Sequence, residues 1–386
     1  MFVYDDKFGG IVMSDLKDLR VKIDKLDRKL VELFEARMQL SADVAIYKKN
    51  EGLQIYDPAR EVEKVEAMRT MTEDEYNKTM IGDLFTQIMT MSRGLQYKIL
   101  DSSFSLGFQL IEDLSVSKDT KVLFYGEKGS YTEQAMGEYF GTDINAIAME
   151  TFEGVMEAIN DNQADYGVLP IENSSTGGLS DIYDLLAMYD NYIIGEHVLK
   201  IEHNLWGLPG STLADIDKVY SHSQGILQCS EFFKENPKIK AIEGLSTATC
   251  ARKVLEEADI SQAAIASKIA GEEYGLKLLK EDISDDYSNS TRFIIISSKC
   301  IYMKVAKRVS ICFETPHRSG ALYHMLSHLI YNKLNMTRIE SRPIPGKAFK
   351  YRFFVDIEGT MDDPAVKNAL HCIKEEAINM KILGSF

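Results

Sequence analysis

Apolar residues recur at steps of three and four along the first hundred positions. Leu16, Leu19, Ile23, Leu26, Leu30 and Leu33 form a seam that Leu40, Val44 and Tyr47 continue, which predicts one long helix. Asp57-Pro58 reads as an N-cap followed by proline at the first helical position, and so starts a second helix. Leu84, Phe85, Ile88, Met89 and Leu95 predict a third, over about 79–99. The helical period then fades into Asp101-Ser102-Ser103 and a polar run at 115–120, so 104–120 is expected to be a linker. Beyond it, short apolar strands at 122–125, 167–171, 263–266 and 293–296 alternate with amphipathic helices, which predicts an α/β sheet. The last eighty or so residues read as strand, helix, two strands, helix, strand, a βαββαβ unit.

One seam position is not apolar. Arg37 sits between Leu33 and Leu40, and an unpaired guanidinium facing other helices loses several kcal/mol of solvation. It needs a buried carboxylate or an anionic ligand. Lys48 favours the ligand, because eleven residues are almost three turns and return it to the same face about 16 Å further on. Arg60 is a cation in the first turn of the second helix, where a capping box would have Glu or Gln and where the dipole opposes positive charge. Glu61 follows it, and Ser92 and Gln96 lie one turn apart on the third helix. The three predicted helices thus carry cations and neutral donors on inward positions.

These residues resemble the all-helical chorismate mutases in the version fused to prephenate dehydratase. The likeness covers roughly residues 14–100 of a domain expected over 14–103, and Arg20, Arg37, Lys48, Asp57, Arg60, Glu61, Ser92 and Gln96 fall at that family's substrate-binding positions. It implies rearrangement of chorismate to prephenate, with Arg20, Arg37, Arg60 and Ser92 on carboxylates, Asp57 and Glu61 on the hydroxyl, and Lys48 and Gln96 on the ether oxygen. Arginine suits carboxylates because its fork binds them bidentately. Arg20 precedes Arg37 by seventeen residues, about 25 Å of straight helix, so the two cannot reach one small ligand from one copy of the helix. An intertwined dimer with shared sites is therefore expected, and this agrees with the family.

A chain of 386 residues is too long for one core and points to two or three domains. No apolar run approaches the roughly 18 residues of a membrane span, and Met1 to Gly10 has neither the basic nor the apolar part of a secretion signal. Cys229, Cys250, Cys300, Cys312 and Cys372 have no paired spacing, as expected of reduced thiols in a cytoplasmic protein. A net charge of −15 argues against nucleic acid and anionic membranes as partners, and makes a cationic pocket for anions more meaningful.

Four polar clusters stand at strand ends, where open α/β sheets bind ligands. They are Gly126-Glu127-Lys128-Gly129-Ser130-Tyr131, the run from Pro170 through Glu172, Asn173 and Ser174 to Gly178, Ser221-His222-Ser223-Gln224 with Gln228 one turn on, and Asn289-Ser290-Thr291-Arg292-Phe293. The first is not a dinucleotide fingerprint, because its third glycine and spacing are wrong. Together with Ser246-Thr247-Ala248 and Asp285 they resemble prephenate dehydratase over 121–298, Thr-Arg-Phe being the most specific mark. The resemblance implies two α/β lobes like those of periplasmic binding proteins, with the site between them. Thr291 is expected to donate to the departing hydroxyl or to position it. Asn173, Ser221, Gln228 and Glu172 would orient substrate, with Ser174, His222, Ser246, Thr247, Asn289 and Phe293 in the same site. Arg292 would bind a carboxylate or brace the loop.

In the segment 305–386, Gly320-Ala321-Leu322 at a helix start and Glu340-Ser341-Arg342-Pro343 after a strand resemble the α+β ACT regulatory domain of these enzymes. L-phenylalanine is the implied ligand, its carboxylate on the helix start and its ammonium on Glu340. His324 and His328 are spaced as metal ligands but have no third partner, so no metal is expected. The whole reads as a multidomain, cofactor-free bifunctional enzyme of phenylalanine biosynthesis under feedback control, forming a homodimer or higher homo-oligomer. The alternative is a phenylalanine-responsive binding protein without turnover.

Overall fold

A computed structural model describes residues 15–100 and 105–386. The expectations placed on Met1 to Gly10 and on Asp101-Ser102-Ser103 lie outside the described residues. The chain divides into two compact units. One holds the N-terminal helices together with residues 322–333 and 367–376, and the other holds 105–321, 334–366 and 377–386. The segment 305–386 is therefore shared between the units.

In the first unit, α1 (Leu16–Glu51) starts at the Asp15 cap and ends where Gly52 takes a φ of 66°, a left-handed turn that glycine adopts without a Cβ clash. It is the single long helix of the apolar seam. α2 (Pro58–Arg69) is capped by Asp57, whose Oδ1 accepts from Arg60 N at 3.1 Å. α3 (Glu75–Leu100) begins four residues before the apolar pattern does, because Asp74 accepts from Asn77 N at 2.8 Å and nucleates an extra polar turn. No helix among the described residues is long and apolar enough to cross a membrane.

The second unit opens with β1 (Gln109–Ile111). A first lobe follows in β2 (Lys121–Tyr125), α4 (Tyr131–Phe140), β3 (Asn145–Met149), α5 (Phe152–Asn160), β4 (Tyr166–Asn173), β5 (Gly177–Gly178), α6 (Ser180–Met188) and β6 (Tyr192–Lys200). The second lobe takes in β7 (Asn204–Gly207), β8 (Lys218–Ser221), α7 (Ser223–Leu227), α8 (Ser230–Glu235), β9 (Lys240–Glu243), α9 (Thr247–Glu257), β10 (Gln262–Ala266), α10 (Lys268–Glu273) and β11 (Lys277–Lys280). The chain re-enters the first lobe with β12 (Ser290–Ser297) and adds β13 (Ile301–Met303). Then come β14 (Arg308–Glu314), α11 (Ala321–Tyr331), β15 (Met336–Pro343), β16 (Tyr351–Glu358), α12 (Pro364–Glu376) and β17 (Asn379–Ser385), the βαββαβ order read from the sequence.

Part of the expected linker is a strand. β1 pairs in parallel with β13, and Gln109 N donates to Cys300 O at 2.8 Å. The second lobe is a sheet of order β11-β7-β10-β8-β9, with separate apolar cores on its two faces. The larger sheet runs β15-β16-β14-β17-β6-β12-β4-β2-β3. Its central strands are near-continuous apolar runs because both faces are covered, and Phe293 to Ile296 on β12 are all at most 2% exposed.

The C-terminal strands do not stand apart from this lobe. Cys312, Phe354 and Leu383 share one core with Ile159 of α5, Ile182 and Leu186 of α6, and Ile294 of β12. β17 meets β6 at the single pair Gly384 and Ile193. Gly384 has a φ of 150°, and a Cβ there would stand 1.9 Å from Ile193 O, so only glycine lets the two backbones meet.

Candidate active sites

The three N-terminal helices enclose a cavity of about 470 Å³. Arg37, Lys48, Asp57, Arg60, Glu61, Ser92 and Gln96 line it, seven of the eight positions named from the sequence. Arg20 does not, and lies exposed on α1. Helix periodicity accounts for the convergence: Arg37 and Lys48 return to one face of α1, and Ser92 and Gln96 to one face of α3. Arg37 Nη1 donates to Ser92 Oγ at 2.5 Å, which fixes the guanidinium against α3. Lys48 Nζ donates to Ile55 O at 2.6 Å. Burial lowers the Arg37 pKa from its ordinary value, against the opposing pull of Glu61. Burial and then the charge of Arg60 lower that of Lys48, while Asp57 and Glu61 draw it up. Gln96 is buried and its Oε1 has no protein partner, so one end of that amide is left for a ligand. Arg93, which sequence reasoning passed over, also lines the cavity.

A second cavity, of about 300 Å³, lies between the two lobes. Asn173, His222, Gln228, Ser246, Thr247, Thr291 and Phe293 line it, with Tyr125, Glu127, Tyr131, Phe152, Leu179 and His203. Ser246 caps α9 by accepting from Thr249 N at 3.0 Å, and His222 caps α7. Asn173 Nδ2 donates to Thr291 Oγ1 at 2.9 Å and to Asn289 Oδ1 at 2.8 Å, while its Oδ1 accepts from Ser175 N at 3.0 Å. Thr291 Oγ1 is thus an acceptor toward Asn173, and its hydrogen is left to donate into the cleft. His203 links Tyr131, 2.9 Å from its Nδ1, to Gln228 Oε1, 2.8 Å from its Nε2. Burial pushes His203 below its ordinary pKa, partly offset by the Gln228 bond, so the ring is neutral at pH 7.

Five residues expected in this site do not line it. Arg292 and Glu172 are cross-strand partners, one position along from the Thr291 and Asn173 pair, and successive strand residues face opposite sides. Arg292 Nη2 therefore meets Glu172 at 3.1 Å and Asp356 at 3.7 Å on the far face, and braces the sheet there. Arg338 of β15 joins the same carboxylate at 3.3 Å. Ser221 is fully buried, donating to Ile265 O at 3.0 Å beneath Gly225. Ser174 Oγ accepts from Ser290 N at 3.0 Å, and Asn289 is buried behind Asn173. Asp285 caps α8, accepting from Ser230 N at 2.8 Å and Glu231 N at 3.0 Å. In the C-terminal segment, Gly320 has a φ of 75° immediately before α11, and Arg342 of β15 pairs with Asp184 at 2.7 Å.

Family models match both regions: chorismate mutase type II over residues 19–97 and prephenate dehydratase over 122–301. A bifunctional chorismate mutase/prephenate dehydratase from Aquifex aeolicus (strain VF5) is 32% identical over 375 residues, covering 97% of this chain and 98% of the relative. The chain belongs to the bifunctional chorismate mutase/prephenate dehydratases. As a bifunctional chorismate mutase/prephenate dehydratase it is an enzyme of phenylalanine biosynthesis with a helical mutase domain and a two-lobed dehydratase domain. Both matched families are enzymes, which sets aside a binder without turnover. The prephenate dehydratase of Arthrobacter aurescens, solved in complex with L-Phe, is 30% identical with a TM-score of 0.65, covering 69% of this chain and 89% of that one. A quorum quenching acylase, GqqA, is 30% identical with a TM-score of 0.64, covering 69% and 97%. The two-lobed fold thus occurs under two activities, and the dehydratase assignment rests on the family match.

Proposed function

We propose that the helical cavity is the chorismate mutase site and the cleft between the lobes the prephenate dehydratase site. The convergence of Arg37, Lys48, Asp57, Arg60, Glu61, Ser92 and Gln96 on one cavity carries the first assignment. In the rearrangement a carbon–oxygen bond breaks as a carbon–carbon bond forms, with no proton transferred. The protein's task is to hold the dianion in its reactive shape and to stabilise charge growing on the ether oxygen. Arg37 and Arg60, with Ser92, hold carboxylates; Asp57 and Glu61 take the hydroxyl; Lys48 and Gln96 meet the ether oxygen.

Arg20 would complete this site in a second copy of the chain. Leu16, Ile23, Leu26, Leu30 and Leu33 are 54–68% exposed on α1. Full burial of such side chains is worth about 1.5–3 kcal/mol each, so an antiparallel partner helix is the natural cover and would bring Arg20 across.

In the cleft, Thr291 would donate its hydrogen bond to the departing ring hydroxyl, with Asn173 aiming it and Gln228, His222, Ser246 and Thr247 orienting prephenate. Water and carbon dioxide leave, and the ring becomes the aromatic ring of phenylpyruvate. The domains would span 14–103, 121–298 and 305–386, the last an ACT domain. L-phenylalanine would bind there at Gly320, Ala321, Leu322, Glu340, Ser341 and Arg342 as feedback inhibitor, in an enzyme that works in the cytoplasm.

The decisive experiment supplies each substrate in turn. Wild-type protein given chorismate should form phenylpyruvate. Arg37→Ala should fail from chorismate yet turn over supplied prephenate, and Thr291→Ala should accumulate prephenate. Equal loss of both activities in either variant would overturn the assignment of separate sites.

A further inference from the structure

The mutase cavity contains a cation outside the eight positions that suggested the activity. Arg93 follows Ser92 on α3 and lines the cavity, yet its side chain is only 5% exposed because its fork is occupied on both sides. Nη1 pairs with Glu61, whereas Nη2 pairs with Glu376 of α12 and lies 3.3 Å from Thr90 Oγ1. The guanidinium also covers the Tyr56 ring, 4.7 Å from its centroid.

Glu376 is held in turn. It is 9% exposed, and its Oε1 lies 3.1 Å from His328 Nε2. The neighbouring turn of α3 is fastened to the same helix, since Tyr97 donates to Glu375 and its ring lies tilted against His371 at 4.1 Å, and Asn368 Nδ2 donates to Gly94 O at 3.2 Å. Burial lowers the Arg93 pKa, but Glu376 and then Glu61 more than offset it, leaving a firm cation.

A carboxylate placed to recognise a hydroxyl beside a dianion has two problems. Unneutralised, it repels the substrate, and held by an undivided guanidinium it gives both oxygens to the fork. Sharing Arg93 with a second carboxylate solves both, because one nitrogen neutralises Glu61 while the other is kept away from it.

We propose that Arg93 is a positioning residue of the mutase step, clamped between Glu61 and Glu376, so that a helix of the C-terminal βαββαβ segment sets the aim of a substrate-facing carboxylate. The mutase site is then built from both ends of the chain. The proposal rests on the mutase chemistry occurring in this cavity, which Arg37→Ala tests by itself: full mutase activity in that variant rejects the cavity, whereas its loss leaves the clamp to be judged separately.

The test uses full-length protein and steady-state kinetics of both reactions. Glu376→Gln and Arg93→Met should each lower mutase kcat/KM by about tenfold, mainly through KM, because the interaction removed acts on binding geometry. The double variant should be no worse than the poorer single one, since both break one clamp. Glu376→Asp and Arg93→Lys, which keep the charges, should recover part of the loss. Dehydratase constants should stay within about twofold throughout, since nothing in the cleft is touched. Mutase constants unchanged in Glu376→Gln, additive losses in the double variant, or parallel loss of dehydratase activity would each overturn the clamp, the last by making the contact merely structural.

Discussion

The two cavities proposed as sites differ in how they would hold a dianion. The helical one is lined by Arg37, Lys48, Arg60, Lys64 and Arg93, whereas none of the described residues lining the cleft is a lysine or an arginine. The cleft offers hydroxyls, amides and helix N-termini among Tyr125, Phe152, Leu179 and Phe293. The difference follows from what each reaction does with charge. In the rearrangement both carboxylates stay and new negative charge appears on oxygen, so fixed cations help throughout. In the dehydration one carboxylate must leave as neutral carbon dioxide, and a guanidinium clamped to it would stabilise the starting state more than the transition state. In the proposed site neutral donors would hold prephenate without arresting that step.

The contrast can be broken in several places. The largest effect should come from Arg37→Ala, which should cut mutase kcat/KM by about 10³-fold, as loss of a half-buried charged donor to the developing charge does, with prephenate turnover unchanged. Thr291→Ala should reduce dehydratase kcat by about 10²-fold and Thr291→Ser should restore much of it, because the hydroxyl rather than the methyl acts. Arg292→Met should behave differently from both. It leaves Asp356 without its cation and Glu172 with Arg338 alone, so about 2–4 kcal/mol of stability should go, seen as an earlier thermal melt, while KM for prephenate holds. A rise in that KM with no change in melting would put Arg292 back in the cleft.

Titration sharpens the same comparison. Lys48 sits below the 10.5 of an ordinary lysine, through burial and then Arg60. As pH rises it therefore loses its proton, and the mutase its activity, earlier than a solvated lysine would. Dehydratase activity should lack that alkaline limb. The smallest effect should be that of salt: raising ionic strength from about 0.05 to 0.5 M should increase mutase KM a few-fold and dehydratase KM less, since only the first cavity is lined by cations.

The lining of the helical cavity was legible because its helices are. A seam with a 3.6-residue period places Arg37 and Lys48 together, and Asp57-Pro58 marks the next helix start to the residue. Arg93 was missed because its second partner, Glu376, is 283 positions away. In the cleft the strand ends were read correctly, but the period of two was not applied to them. It already separates Thr291 from Arg292 and Asn173 from Glu172. His203 escaped because it meets Tyr131 only across the two lobes, 72 positions away. The order of the C-terminal elements was readable, yet the single backbone contact at Gly384 that joins their sheet to the first lobe left no mark beyond one glycine.

Glu172 answers to two masters. It neutralises Arg292 on the strand that carries Thr291, and Arg338 on the outermost strand, two positions before Glu340. Its backbone neighbour, Asn173, sets the direction of the Thr291 hydroxyl. Sliding the outer strand would withdraw one of the two cations that neutralise Glu172, and so would reach the residue next in the chain to the partner of Thr291 from behind the sheet, with the cleft entrance left open.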